Sequence, residues 1–183
     1  MDNLKKNIDL ISLATKVLET EARAITNLIP SLNENFTKAC KLCLETKGRI
    51  IVTGMGKSGH IGKKIASTLA STGTPSFFMH PAEAGHGDLG MLTAEDLLLA
   101  ISYSGKTDEI LTILPVVNRL KIKLISITGN SNSILSKESD CHLNVNVDEE
   151  ACPLNLAPTA STTATLVIGD ALAVGLLESR GFT

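Results

Sequence analysis

From residue 49 onward the chain alternates short apolar runs with segments of helical periodicity. Runs near 49–53, 76–79, 96–102, 122–128 and 142–147 read as strands, and helices are predicted near 58–71, 107–120, 131–138 and 161–180. Strands that are apolar throughout are buried on both faces, as in a parallel sheet covered by helices. The pattern predicts an α/β fold, a doubly wound five-stranded parallel sheet sandwiched by helices. Ahead of it, residues 3–29 read as one long helix in which Leu4, Ile8, Ile11, Leu18, Ala22, Ile25 and Ile29 recur at alternating four- and three-residue steps, interrupted at Thr15. Such a narrow seam packs on a partner helix or on the domain's own sheet, and the spacing leaves both open. Pro30 marks a break, and a second helix is predicted from about 31 to 46. The chain therefore reads as one domain over residues 1–183, with N-terminal helices at 3–46 and an α/β core at 49–183.

Two of the apolar runs stop at turns of glycines and hydroxyls that lead into helices. The first is Gly54-Met55-Gly56-Lys57-Ser58-Gly59-His60, and the second is Ser102-Tyr103-Ser104-Gly105-Lys106-Thr107-Asp108-Glu109. A helix N-terminus preceded by glycine presents free amides and the positive end of the helix dipole, which suits a phosphate group. In the second turn Ser102, Ser104 and Thr107 place three hydroxyls around Gly105. Taken alone, Ser104 reads equally well as a helix cap with Glu109 as a favourable first-turn acid. A third hydroxyl cluster, Thr159-Ala160-Ser161-Thr162-Thr163, opens the last helix and makes coincidence less plausible. In doubly wound sheets ligands bind at the carboxyl ends of the strands, where both glycine turns fall.

Composition narrows the ligand. Net charge is −2 with scattered basic residues, and aromatics are 3%. No basic face or stacking platform for nucleic acid emerges, and none for an anionic membrane. The N-terminus is polar and lacks the pattern of a signal peptide, and the apolar stretch at 166–177 contains Asp170 and falls short of the roughly 20 residues a bilayer span needs. The expectation is a cytoplasmic protein binding a small molecule, with Cys40, Cys43, Cys141 and Cys152 reduced.

Gly54-Met55-Gly56-Lys57-Ser58-Gly59 matches the dinucleotide fingerprint G-x-G-x-x-G. That fingerprint also needs an acid at the end of the next strand, and the sequence there is Phe78-Met79-His80-Pro81. A phosphate-binding loop of the NTPase type needs a glycine where Ile51 stands, inside a strand.

The three hydroxyl turns together resemble the sugar isomerase (SIS) domain. More narrowly, Ser71-Thr72-Gly73-Thr74-Pro75-Ser76-Phe77-Phe78, His80-Pro81-Ala82-Glu83-Ala84, His86-Gly87-Asp88-Leu89-Gly90 and Glu150-Ala151-Cys152-Pro153-Leu154 resemble the arabinose-5-phosphate isomerase family. The resemblance runs from about residue 20 to the end. It implies a flavodoxin-like SIS fold and interconversion of ribulose 5-phosphate and arabinose 5-phosphate, feeding synthesis of the sugar acid Kdo for lipopolysaccharide. It further implies catalytic positions at Lys57, Glu109 and Glu150, substrate contact at His86, and sugar-binding segments at Gly73 and Thr74. Further substrate-binding positions fall at Ser58, Ser102, Ser104, Gly105, Thr107, Ser161 and Thr162; of these Ser102, Ser104 and Thr107 are read as gripping the phosphate, with the first turn carrying Lys57 at the sugar end. It also implies a homodimer or homotetramer, and associates zinc with the position of His80.

Aldose–ketose exchange moves a proton between C1 and C2 through an enediol, so it needs a base and a positive charge for the enediolate, and no redox cofactor. Lys57 is placed for the charge. Either Glu109 or Glu150 would serve as base if desolvation raised its pKa toward neutral. His80, His86 and Asp88 share one polar loop with metal-ligand chemistry, but the enediol route does not require a metal. A sugar-phosphate sensor on the same fold, lacking catalytic carboxylates, is the competing reading, and a SIS isomerase for another ketose phosphate is a third. Relatives of this type continue past Gly181-Phe182-Thr183 into a Ser-His-Pro-Gly-Gly loop, and many carry CBS domains, none of which is in this sequence. The corresponding expectation is that residues 1–183 bind pentose phosphate but turn it over slowly until the downstream loop is restored.

Overall fold

The computed structural model describes residues 9–85 and 87–181. Two helices, α1 (Leu10–Leu28) and α2 (Glu34–Glu45), lead into β1 (Ile50–Gly54) and α3 (Gly56–Ser71). Then follow β2 (Ser76–Met79), a short α4 (Pro81–Ala84), β3 (Leu97–Ile101), α5 (Asp108–Leu120), β4 (Lys123–Thr128), α6 (Ile134–Glu138), β5 (Cys141–Asn144) and α7 (Ala160–Arg180). All five predicted strands are present, all pairings are parallel, and the spatial order is β2-β1-β3-β4-β5.

Strand alternation divides the core in two. Ile50, Val52, Leu97, Leu99, Ile101, Ile125 and Ile127 point to the face covered by α2, α3 and α7. Ile51, Leu98, Ala100 and Leu124 point to the face covered by α4, α5 and α6. Every residue of β1 and β3 is buried, which is why these runs carry no polar alternation. α7 is apolar enough by length and composition to pass as a membrane span. Its apolarity has another outlet: Ala164, Ile168, Leu172 and Leu176 sit in the core, and α1 and α2 pack along it.

At the amino end of the sheet, buried Asp96 accepts hydrogen bonds from the Arg49 and Thr93 amides at 2.8 Å each, joining the starts of β1 and β3. A buried carboxylate bonded this way is costly to disturb.

The first helix departs from one half of its reading. Asp9 caps α1, accepting from the amides of Ile11 and Ser12 at 3.1 Å. The predicted seam positions Leu4 and Ile8 lie outside the described residues. Of the others, Ile11, Leu18 and Ile29 are 79%, 71% and 65% exposed. The residues that α1 buries are Thr20, Ala24 and Leu28, on the side facing α7. The apolar seam thus faces away from this chain's own sheet. Pro30 acts as expected, in a single 3-10 turn over Ile29–Ser31.

α3 packs tightly on the strand that precedes it. A Cβ at Gly59 would lie 2.6 Å from the carbonyl oxygen of Gly54, an atom fixed in β1. We expect Gly59→Ala to lower unfolding free energy by about 2 kcal/mol, overpacking outweighing the gain in helix propensity. Urea unfolding of the variant, showing a lower midpoint at unchanged slope, checks this.

Candidate active site

In this strand order the crossovers leave β1 and β3 in opposite directions, so a crevice opens between their carboxyl ends. Three helices begin at that end of the sheet. α3 starts after Met55, which makes no side-chain cap bond, and Lys57 and Ser58 stand in its first turn. α5 starts after Thr107, also without a cap bond. The first amides of both helices have no intrahelical acceptor and remain open to a ligand.

The loop between β3 and α5 is built around its hydroxyls. Ser102, buried, shares a 2.7 Å hydrogen bond with the Thr107 hydroxyl, and its Oγ also accepts from the Gly105 amide at 3.1 Å. The Ser104 hydroxyl accepts from the Lys106 amide at 3.2 Å. Gly105 holds φ 64°, and a Cβ there would lie 2.1 Å from the Ser133 hydroxyl, so geometry and space both demand glycine. The loop is thereby seated against the start of α6, where the Leu135 amide donates to the Gly105 carbonyl at 3.2 Å.

α7 is different, because a carboxylate closes its N-terminus. Glu150 Oε2 accepts from the Thr159 amide at 2.7 Å, the Thr159 hydroxyl at 3.0 Å and the Ser161 amide at 3.2 Å. The arrangement is reciprocal: the Thr159 hydroxyl accepts from the Ala151 amide at 2.9 Å. Asn155, at φ 53°, accepts the Glu150 amide on Oδ1 at 3.2 Å and so closes the loop on itself. The same segment is tied to α1, by Arg23 to Glu149 at 2.7 Å and by Asn27 to Asp148 at 3.1 Å. Burial on its own would push the Glu150 carboxyl up. The hydroxyl and amide donors of Ser161 and Thr159 outweigh it and hold the group below the ordinary carboxylate range. This corrects the expectation that desolvation would raise it toward neutral.

A cavity of about 380 Å³ lies between these elements, and Lys57, Ser58, Glu150, Ser161 and Thr162 line it together. Ser102, Ser104, Gly105 and Thr107 form the neighbouring loop, which reaches the cavity wall through Tyr103. Glu109 is exposed on the first turn of α5, outside that wall. Gly73 and Thr74 sit just before β2, at the amino end of the sheet and away from this cavity. His86 lies outside the described residues. His80 Nδ1 is buried without a partner, yet among the described residues no three His, Cys, Asp or Glu side chains come together as metal ligands. Tyr103, Asn155 and Thr165 were missed as wall residues. For Tyr103 a signal existed: it is the one tyrosine of the sequence and it sits inside the second hydroxyl turn.

Fold and site together define a SIS domain: the SIS domain family model matches residues 43–175, and the chain belongs to that family. Among curated proteins, arabinose 5-phosphate isomerase KdsD of Pseudomonas aeruginosa is 59% identical over 181 residues, covering 99% of this chain and 56% of the relative. KdsD of Yersinia pestis is 55% identical over 181 residues, covering 99% and 55%. The chain spans about half the length of the curated relatives it matches. A solved structure from Escherichia coli CFT073, in complex with arabinose 5-phosphate, superposes with a TM-score of 0.92 at 42% identity, covering 100% of this chain and 95% of that one.

The depressed pKa of Glu150 makes a statement about stability. A carboxyl lowered on folding contributes stability that is complete above its unfolded value, near 4.3, and is lost as pH falls through the lower folded value. We expect Glu150→Gln to cost less than about 1 kcal/mol at pH 7, since solvent screens a partly exposed carboxylate, with the gap to wild type closing below about pH 4. Thermal unfolding of both proteins as a function of pH measures that gap.

Proposed function

We propose that this domain is an aldose–ketose isomerase that interconverts arabinose 5-phosphate and ribulose 5-phosphate. The observation that carries the reading is the shared cavity: Lys57 and Glu150 line one wall system beside the uncapped starts of α3 and α5. The KdsD relatives that match almost the whole chain support a pentose phosphate, as does the likeness to the solved structure holding arabinose 5-phosphate.

In this reading the phosphate is held by the Ser102–Thr107 loop and the open amides of α5, with Ser58 and the start of α3 beside it. Glu150, ionised at neutral pH, takes the C2 proton of the open-chain aldose through the oxygen that α7 leaves free. The electron pair forms the C1–C2 double bond and the negative charge moves to O1, where the Lys57 ammonium stabilises it. Proton exchange between O1 and O2 follows, and the protonated Glu150 returns its proton to C1 to give the ketose. A substrate that displaces water from the cavity removes solvation from Glu150 and raises its basicity toward that of the carbon acid's partner. Glu109 keeps a supporting role at the helix start. The enzyme works in the cytoplasm as a homodimer or homotetramer, and its product feeds the assembly of Kdo for lipopolysaccharide.

An isomerase assay with ribulose 5-phosphate tests the roles. Lys57→Ala and Glu150→Gln should each lower kcat by about 10²–10⁴, whereas Glu109→Gln should change it by less than about tenfold. Full activity in Glu150→Gln would remove its role as base. Tight binding of arabinose 5-phosphate by wild type with no turnover would instead favour a sensor.

A further inference from the structure

Tyr103 joins the two halves of the site in a way the isomerase chemistry does not itself require. Its backbone ends β3: the Tyr103 carbonyl accepts from the Gly129 amide at 2.9 Å, as the Ser102 amide donates to the Ile127 carbonyl at 3.1 Å. Its ring then occupies the space over Gly129, where a Cβ would lie 2.5 Å from Cε2 and 2.7 Å from Cζ. That seat aims the phenol across the sheet, and its oxygen accepts a hydrogen bond from the Val147 amide at 3.1 Å. Val147 is three residues before Glu150, and both line the cavity with Tyr103.

Glu150 itself is held to α7, but the side-chain ties that reach residues 148 and 149 just ahead of it are weaker holds. The Arg23–Glu149 pair is half exposed on both sides, at 54% and 55%, and such pairs contribute little. Asn27 and Asp148 are likewise exposed. The Tyr103–Val147 bond is half-buried and made by a ring with few rotamers, so among the side-chain ties ahead of Glu150 it is the one best placed to fix the path of the chain into that residue.

We propose that Tyr103 is a positioning residue: it spans from the phosphate loop to the Glu150 segment and sets the carboxylate against the reacting carbons when the phosphate is seated. The kinetic part of this proposal rests on the isomerase reading above, while the mechanical part does not. The phenol touches the Val147 backbone rather than reacting atoms, and its effect runs through Glu150.

Tyr103→Phe keeps the ring and removes only the oxygen. In that variant kcat should fall about tenfold with KM within about twofold, the size expected from one lost hydrogen bond. Combined with Glu150→Gln it should cause no further loss, since the two act as a unit. Hydrogen exchange reads the same coupling without turnover. The amides of Val147 and of Thr159, the donor to Glu150, should exchange about tenfold faster, and those of Ile110 and Leu111 in α5 should not change. Gly129→Ala, which displaces the ring but keeps the hydroxyl, should reproduce this pattern. A rise in KM at constant kcat, additive losses in the double variant, or unchanged protection at Thr159 would each overturn the proposal. Should wild type lack isomerase activity, that failure belongs to the functional reading, and the exchange of Thr159 still decides the mechanical link.

Discussion

The bond between the Glu150 carboxylate and the first amides of α7 is the interaction on which the carboxyl end of this fold depends. α7 is the core helix, packed on the sheet along Ala164, Ile168 and Leu172, so its N-terminus is fixed in place and its first amides need acceptors brought to them. Glu150 meets that demand from a loop, and the same three hydrogen bonds fix the loop and keep the carboxylate charged. The fold of this end and the charge in the cavity are therefore vested in one side chain. One oxygen is committed to the helix, and the other is left for the cavity.

The three helix starts at this end of the sheet consequently have different characters. α3 and α5 are left open, and α7 is closed by its own carboxylate. The crevice thus presents amides on one side and a negative group on the other, a polarity suited to a ligand that is anionic at one end only. Asp96 performs the structural version of the same bonding at the amino end, where it ties strand starts.

Much of this was legible from residue order. Strands buried on both faces announce themselves as apolar runs, and the turns after β1 and β3 carry their glycines and hydroxyls in consecutive positions, so both could be located without a fold. What escaped was long-range. The donors that lower the Glu150 pKa lie 9 and 11 residues downstream, and burial, the one effect inferable locally, points the other way. The partner of the Tyr103 hydroxyl is 44 residues away. In α1 the apolar seam was visible, but the side that faces the chain is a different stripe, Thr20, Ala24 and Leu28, in which only Leu28 is a large apolar residue. Glu109 and Glu150 looked equivalent as acids after strand ends. Only the course of the chain after β5 brings one of them to the cavity and leaves the other on the surface.

The two uncapped helices have a consequence for how the site deals with its surroundings. A chain with net charge −2 has no basic surface to draw anions from a distance. Beside the single charge of Lys57, its attraction comes from backbone dipoles and hydroxyls whose field dies away within a turn of helix, shorter than the roughly 8 Å screening length of a physiological electrolyte. Ions in solution can do little to such contacts. An anion bound at those amides would be selected by shape and direction more than by net charge, and rivals would compete only as far as they reproduce its geometry.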